Sequence, residues 1–163
     1  RLGGVVFTVS GETAESDVIS ASEEFLDILT KSCLTHYPYI AFADAFHTMR
    51  SMLLPVLYLL GTEVPKADVY HAICTGYGGM LACLGGWMYQ KKVLLTEHGI
   101  YTREREEEII RAKWVVPSFK KQWISFFYML SDIIYRRAFQ VTCLFTNAML
   151  IQIQMGCDAK NAE

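Results

Sequence analysis

Val93-Leu94-Leu95-Thr96-Glu97-His98-Gly99-Ile100-Tyr101-Thr102-Arg103-Glu104 is the stretch on which the fold turns. An apolar run ends on an acid and a histidine, bends at Gly99, and passes into the charged run Arg103 to Glu108. A short apolar run bounded by a turn fits a buried strand, and the charged run fits a solvated helix. In open α/β sheets, ligands sit outside the carboxyl ends of the strands. Glu97 and His98 therefore fall where chemistry is usually done. The competing reading is a capped strand-to-helix turn with a hydrogen-bonded histidine.

Upstream, Asp68 to Cys74 reads as another buried strand, Thr75-Gly76-Tyr77-Gly78-Gly79 as a tight turn, and the residues up to Lys91 as a helix. Gly85-Gly86 lowers helix propensity there by roughly 1 kcal/mol per residue, which close packing on a sheet would explain. Strand, crossover helix and strand make the βαβ signature of a parallel sheet. Downstream, Thr102 is the expected N-cap of the charged helix, with Glu104 in its first turn. Glu107 and Arg111 are spaced for an i,i+4 pair. Pro117-Ser118 opens a long helix with a core stripe of Phe119, Trp123, Phe126, Phe127, Leu130 and Ile134, closed by Arg136 and Arg137. Gln140 to Phe145 reads as a strand. Asn147 is the expected cap of a last helix, which ends at Gly156 in a left-handed C-cap. That helix should feed a further strand, but the chain stops at Glu163.

The front of the chain is less regular. Val5 to Val9 is a candidate strand and Ser10 to Ser22 a loop or linker. A helix is expected from Ser22 to His36, with Phe25, Ile28, Leu29 and Cys33 on one stripe. A second runs from Asp44 to Leu60, and Pro55 inside it predicts a kink or a break. The alternation implies an α/β layer fold: a parallel sheet with flanking helices.

Composition narrows the function. The chain has 163 residues, 52% of them hydrophobic and 20% charged. That is apolar for one soluble domain, and with no initiator Met at Arg1 the chain reads as part of something larger. Membrane insertion is the rival account. It fails because Met52 to Leu60 and Trp123 to Tyr135 fall short of the roughly 20 apolar residues a spanning helix needs. A net charge of −2 argues against a dedicated nucleic-acid binder. The five cysteines are scattered without a C-x-x-C pair, and read as reduced core thiols of a cytoplasmic protein.

The Thr75 to Gly79 turn could offer backbone N–H groups to a phosphate or a sugar hydroxyl. It is neither G-x-G-x-x-G nor a P-loop. Gly79 is read as serving packing alone, while Gly76 and Tyr77 are candidates for lining a cleft. His71 lies inside a strand and reads as a satisfied core histidine; His98, at a strand end, is the stronger candidate. Tyr101, Arg103 and Glu104 are placed to form a polar rim. Glu97 and His98 are adjacent in a strand and so point to opposite faces, which disfavours a shared metal ion.

Four blocks carry a family resemblance: Arg50 to Pro55, Ala67 to Ala72, Thr75 to Gly79, and Thr96 to Glu108. In order and spacing they resemble the glycosyltransferases of Pel exopolysaccharide synthesis, members of glycosyltransferase family 4. The resemblance runs from about Glu23 to the C-terminus, and residues 1–22 match poorly. It implies that residues 23–163 are an incomplete N-terminal, acceptor-side half of a GT-B fold, with a Rossmann-like sheet and without the C-terminal donor domain. It further implies retaining transfer of a sugar from a UDP-sugar to a growing exopolysaccharide, with no metal or other cofactor. On it, His98 would be the catalytic histidine against the donor sugar. Glu97, Tyr101, Arg103 and Glu104 would shape the acceptor side, and Gly76 and Tyr77 the floor. The partners implied are the UDP-sugar, a saccharide acceptor, the missing C-terminal domain and a membrane-bound polysaccharide synthase complex, with no nucleic acid. The location implied is cytoplasmic, held peripherally at the inner membrane through partners. Two other readings stand beside it: a non-catalytic α/β interaction module and a small nucleotide-binding domain.

Overall fold

Alternation of buried and exposed side chains makes the strands. In the computed structural model, which describes residues 23–163, Tyr70 and Ala72 of β1 (Val69–Ala72) face inward, while Val69 and His71 face out. Val93, Leu95 and Glu97 of β2 (Lys92–Glu97) do the same. β3 (Gln140–Cys143) completes a parallel sheet of order β1-β2-β3. Tyr70 is in register with Val93, and Leu95 with Val141. The candidate strand Val5 to Val9 and the linker after it lie outside the described residues.

The chain divides at Gly61 into two compact units. In the first, the described part is two helices, α1 (Glu23–His36) and α2 (Phe42–Leu60). Phe25 and Phe46 meet edge-to-face between them at 6.2 Å. The break expected at Pro55 is not there, and α2 is one helix through that residue. Proline removes a single N–H and leaves one carbonyl without its partner, and the turns on either side hold.

The second unit, Thr62–Glu163, holds the sheet. Here α3 (Tyr77–Met88) joins β1 to β2. The pair α4 (Tyr101–Arg111) and α5 (Lys120–Arg137), with a 3-10 turn at Pro117–Phe119 between them, joins β2 to β3. Both crossovers step the same way along the sheet, so a common handedness puts their helices on one face. The core agrees: Tyr70, Val93, Leu95 and Val141 of the sheet pack with Cys83 of α3 and Ile134 and Tyr135 of α5. Gly85 and Gly86 let α3 lie close. A Cβ on Gly85 would overlap the Tyr70 ring, and one on Gly86 would overlap Val93 Cγ2. Arg137 closes the C-terminal end of α3 by donating to the Gly86 and Lys91 carbonyls at 2.8 and 2.9 Å.

The last helix, α6 (Thr146–Gln154), begins one residue before Asn147 and has no side-chain cap. Gly156 follows it with a φ of +110°, as the expected C-cap requires. The chain then returns to the sheet. Ala162 pairs in parallel with Val141, Glu163 N–H donates to the Val141 carbonyl, and Cys143 N–H donates to the Glu163 carbonyl, each at 2.9 Å. These bonds make a single parallel bridge beside β3. No helix among the described residues is long and apolar enough to cross a membrane.

The buried acids give a pH prediction. Burial pushes the Cys83 thiol up to about 12 and Cys157 to about 11, and it raises Tyr135 well above the ordinary phenol range. Each group holds its proton in the folded chain after the unfolded chain has lost it. The stability it contributes is full below its ordinary pKa and falls as pH rises towards the folded value. The loss is about 1.4 kcal/mol per pH unit for each such group. Urea midpoints should fall from about pH 9 to about pH 11, and Cys83→Ala should flatten the slope. Equal midpoints at pH 8 and about pH 10.5 contradict this.

Candidate functional site at the carboxyl end of the sheet

Two loops meet beyond the carboxyl ends of β1 and β2, and both carry buried polar residues. After β1, Thr75 is buried and Gly76 turns the chain with a φ of +89°. At the end of β2, Glu97 is 2% exposed and His98 lies open to solvent. At the start of α4, Thr102 is buried beside the half-buried Tyr101.

The buried members form one hydrogen-bonded network centred on Glu97. Tyr135 Oη and Gln152 Nε2 donate to Glu97 Oε2 at 2.6 and 2.9 Å. Thr75 Oγ1 donates to Glu97 Oε1 at 3.3 Å, and Ser131 Oγ donates to Thr75 Oγ1 at 2.9 Å. Thr102 Oγ1 makes a short bond with Ser131 Oγ. Each hydroxyl has one proton, so the relay runs one way: Thr102 to Ser131, Ser131 to Thr75, Thr75 to Glu97. Aligned donors of this kind strengthen one another and end on an acid that burial would otherwise penalise. The expected N-cap at Thr102 is thereby corrected. Ile100 precedes the helix without a side-chain cap, and the Thr102 hydroxyl is committed to α5 instead.

Above the network sit the aromatic candidates. A Cβ on Gly76 would come 2.6 Å from Tyr101 Cε1, so glycine is needed there for space as well as for its φ. Tyr101 packs edge-to-face on Phe127 at 6.1 Å, with the Arg105 guanidinium 5.4 Å from its ring. Tyr77 meets Phe126 and Phe127 at 6.3 and 6.5 Å. Burial, and secondarily Tyr101, push the Tyr77 phenol up to about 12, so it stays a neutral donor. Arg103 and Glu104 are exposed on α4, and Glu104 Oε1 comes 2.6 Å from where a Gly99 Cβ would sit.

The structure thus brings Gly76, Tyr77 and Tyr101 together and leaves the His98 side chain exposed at the strand end. It turns Glu97 inward, with its carboxyl oxygens taken by the chain's own donors, so Glu97 acts on the site by holding its loops. His71 corrects its expectation as a core residue. It sits on the exposed face of β1, with Nε2 2.9 Å from Thr96 Oγ1. Among the described residues, no three of His, Cys, Asp and Glu are grouped as a metal ion would need.

Ser131, Tyr135 and Gln152 were not legible as site residues. Ser131 and Tyr135 are one helical turn apart on the core side of α5, and polar groups at that spacing on a buried stripe were the available signal.

A family model matches residues 5–160. The chain belongs to DUF3492, a domain family of unknown function. Comparison with curated proteins gave no match, and neither did comparison with solved structures. The match spans both compact units of the DUF3492 chain, including every residue of the Glu97 network.

Proposed function

We propose that this DUF3492 chain is the N-terminal, acceptor-side part of a retaining glycosyltransferase that moves a sugar from a UDP-sugar to a growing polysaccharide. The observation that carries the reading is an exposed imidazole, His98, at the carboxyl end of the central strand of a parallel sheet. The resemblance of four sequence blocks to family-4 enzymes of Pel exopolysaccharide synthesis points the same way. In such a reaction the bond from the sugar to the diphosphate breaks and its electron pair leaves with UDP, while the acceptor oxygen bonds to the same face of the sugar and its proton passes to the departing diphosphate. Charge develops on the sugar as the diphosphate departs, and a polar group fixed against it lowers that barrier. On this reading His98 takes that role. The buried relay beneath it keeps the loop from moving as the bond breaks. Cations for the diphosphate belong, on this reading, to a C-terminal domain outside this chain, so these residues alone turn over no sugar.

His98→Ala in the full-length protein should lower UDP-sugar turnover by about 10²-fold. Because the ring is exposed, the unfolding free energy should change by less than about 0.5 kcal/mol. Turnover equal to wild type would remove His98 from the reaction.

One observation favours a second reading, a non-catalytic interaction module. The outward face of the sheet carries Val69 and Ile73, 48% and 68% exposed, with Phe139 and Leu144 also exposed. UDP-sugar binding by the full-length protein separates the two, since a docking module binds none.

A further inference from the structure

An open groove of about 640 Å³ runs along the outer side of α4, lined by Arg103, Glu104, Glu107, Arg111 and Trp114 among others. We infer that it is a saccharide subsite: it holds the hydroxyl-rich pyranose chain of the acceptor, with Trp114 as the distal platform. The inference rests on the transferase reading for the word acceptor, and on the groove alone for the sugar.

Trp114 carries the argument. It is 66% exposed and lines the groove. It also meets Trp123 edge-to-face at 5.9 Å, and Trp123 is buried and stacked on Phe127 at 5.9 Å. An exposed aromatic side chain offers large contact area at little entropic cost. Along the groove stand the guanidiniums of Arg103 and Arg111, with the carboxylates of Glu104, Glu107 and Glu108 between them in the chain. Glu107 and Arg111 are 3.3 Å apart and mostly exposed, so their pairing is weak and their remaining donors and acceptors are available to hydroxyls.

The lining selects among occupants. An apolar helix would find only Trp114, Ile100 and Ala112 to seat on. A nucleic acid would meet three glutamates (Glu104, Glu107, Glu108) against two arginines. A pyranose has an apolar C–H face for the indole and a rim of hydroxyls for mixed charges. Position adds to chemistry. Glu104 is in the groove lining and also folds over Gly99, next to His98. The Ile100 end of the groove is two residues along the chain from His98, and from there the groove follows α4, which at eleven residues is about 16 Å long. That is room for several sugar units.

The test is calorimetric titration of the full-length protein with cellotetraose, chitotetraose and tetragalacturonate. At least one should bind. Trp114→Ala should weaken that binding roughly tenfold and Trp114→Phe by less. Arg103→Ala and Glu104→Gln, exposed substitutions that leave Trp123 its partner, should weaken it too. In turnover assays Trp114→Ala should raise the acceptor KM and leave kcat and UDP affinity unchanged. Equal affinity in wild type and Trp114→Ala, or no binding of any of the three to folded wild type, overturns the groove. Tetrasaccharide binding that depends on Trp114, without UDP-sugar turnover, keeps the groove and removes the transferase reading.

Discussion

Glu97→Ala should destabilise the chain by about 3–5 kcal/mol, the largest loss expected from any single polar substitution here. The acid is buried and accepts from Tyr135, Gln152 and Thr75. Truncating it leaves three buried donors without an acceptor, each costing about 1–3 kcal/mol if nothing replaces it, though the costs do not add. Gln152 has little slack: its Oε1 is buried and has no donor among the described residues. Removing the whole polar set is expected to cost less than removing its centre. Glu97→Leu combined with Tyr135→Phe should therefore lose less than the sum of the single substitutions, with a coupling of about 0.5–3 kcal/mol. Urea unfolding of the four chains measures it. A loss below about 1 kcal/mol for Glu97→Ala would mean that water substitutes for the carboxyl and the network is not what fixes these loops. The His98 ring signals should shift in Glu97→Ala, because the two residues share a backbone turn.

Gly86→Val should cost about 3 kcal/mol, and Gly85→Val a similar amount. Helix propensity argues the other way, since glycine inside α3 loses roughly 1 kcal/mol against alanine. Contact decides the sign. A side chain at Gly85 runs into the Tyr70 ring, which is itself fixed by Tyr70 Oη donating to the Pro65 carbonyl at 2.7 Å. A side chain at Gly86 meets Val93 and crowds Arg137, whose guanidinium holds the Gly86 and Lys91 carbonyls. Gly78 is the control within the same helix. A Cβ there has Cys74 Sγ 3.8 Å away and nothing nearer, so Gly78→Ala should gain about 0.5–1 kcal/mol. Stabilisation at Gly85 or Gly86 to match that at Gly78 would show that α3 does not press on the sheet there.

The site was only partly legible. His98 and the Gly76 turn followed from where an apolar run ends and where a glycine follows a strand. Both signals are local, and both residues sit at the carboxyl end of the sheet. Glu97 was set on the acceptor side by the family resemblance and by its place at a strand end. Its inward turn depends on Tyr135 and Gln152, 38 and 55 residues away. Thr102 looked like a helix cap because threonine before an acidic turn usually is one. A hydroxyl 29 residues on, Ser131, competes for it and wins. Pro55 predicted a kink or a break, and α2 runs through it as one helix without the break.

Short apolar runs ending at turns, glycines after strands, and apolar stripes of helical spacing were enough to determine a parallel α/β layer and its order of elements. Those signals work because backbone geometry fixes which neighbours share a face. Which strand-end side chains turn inward, and which stay open, was decided only when β1, β2, α4, α5 and α6 came together. The reason is energetic. A buried acid survives only where donors from distant segments converge on it, and such convergence leaves no periodic trace in the sequence.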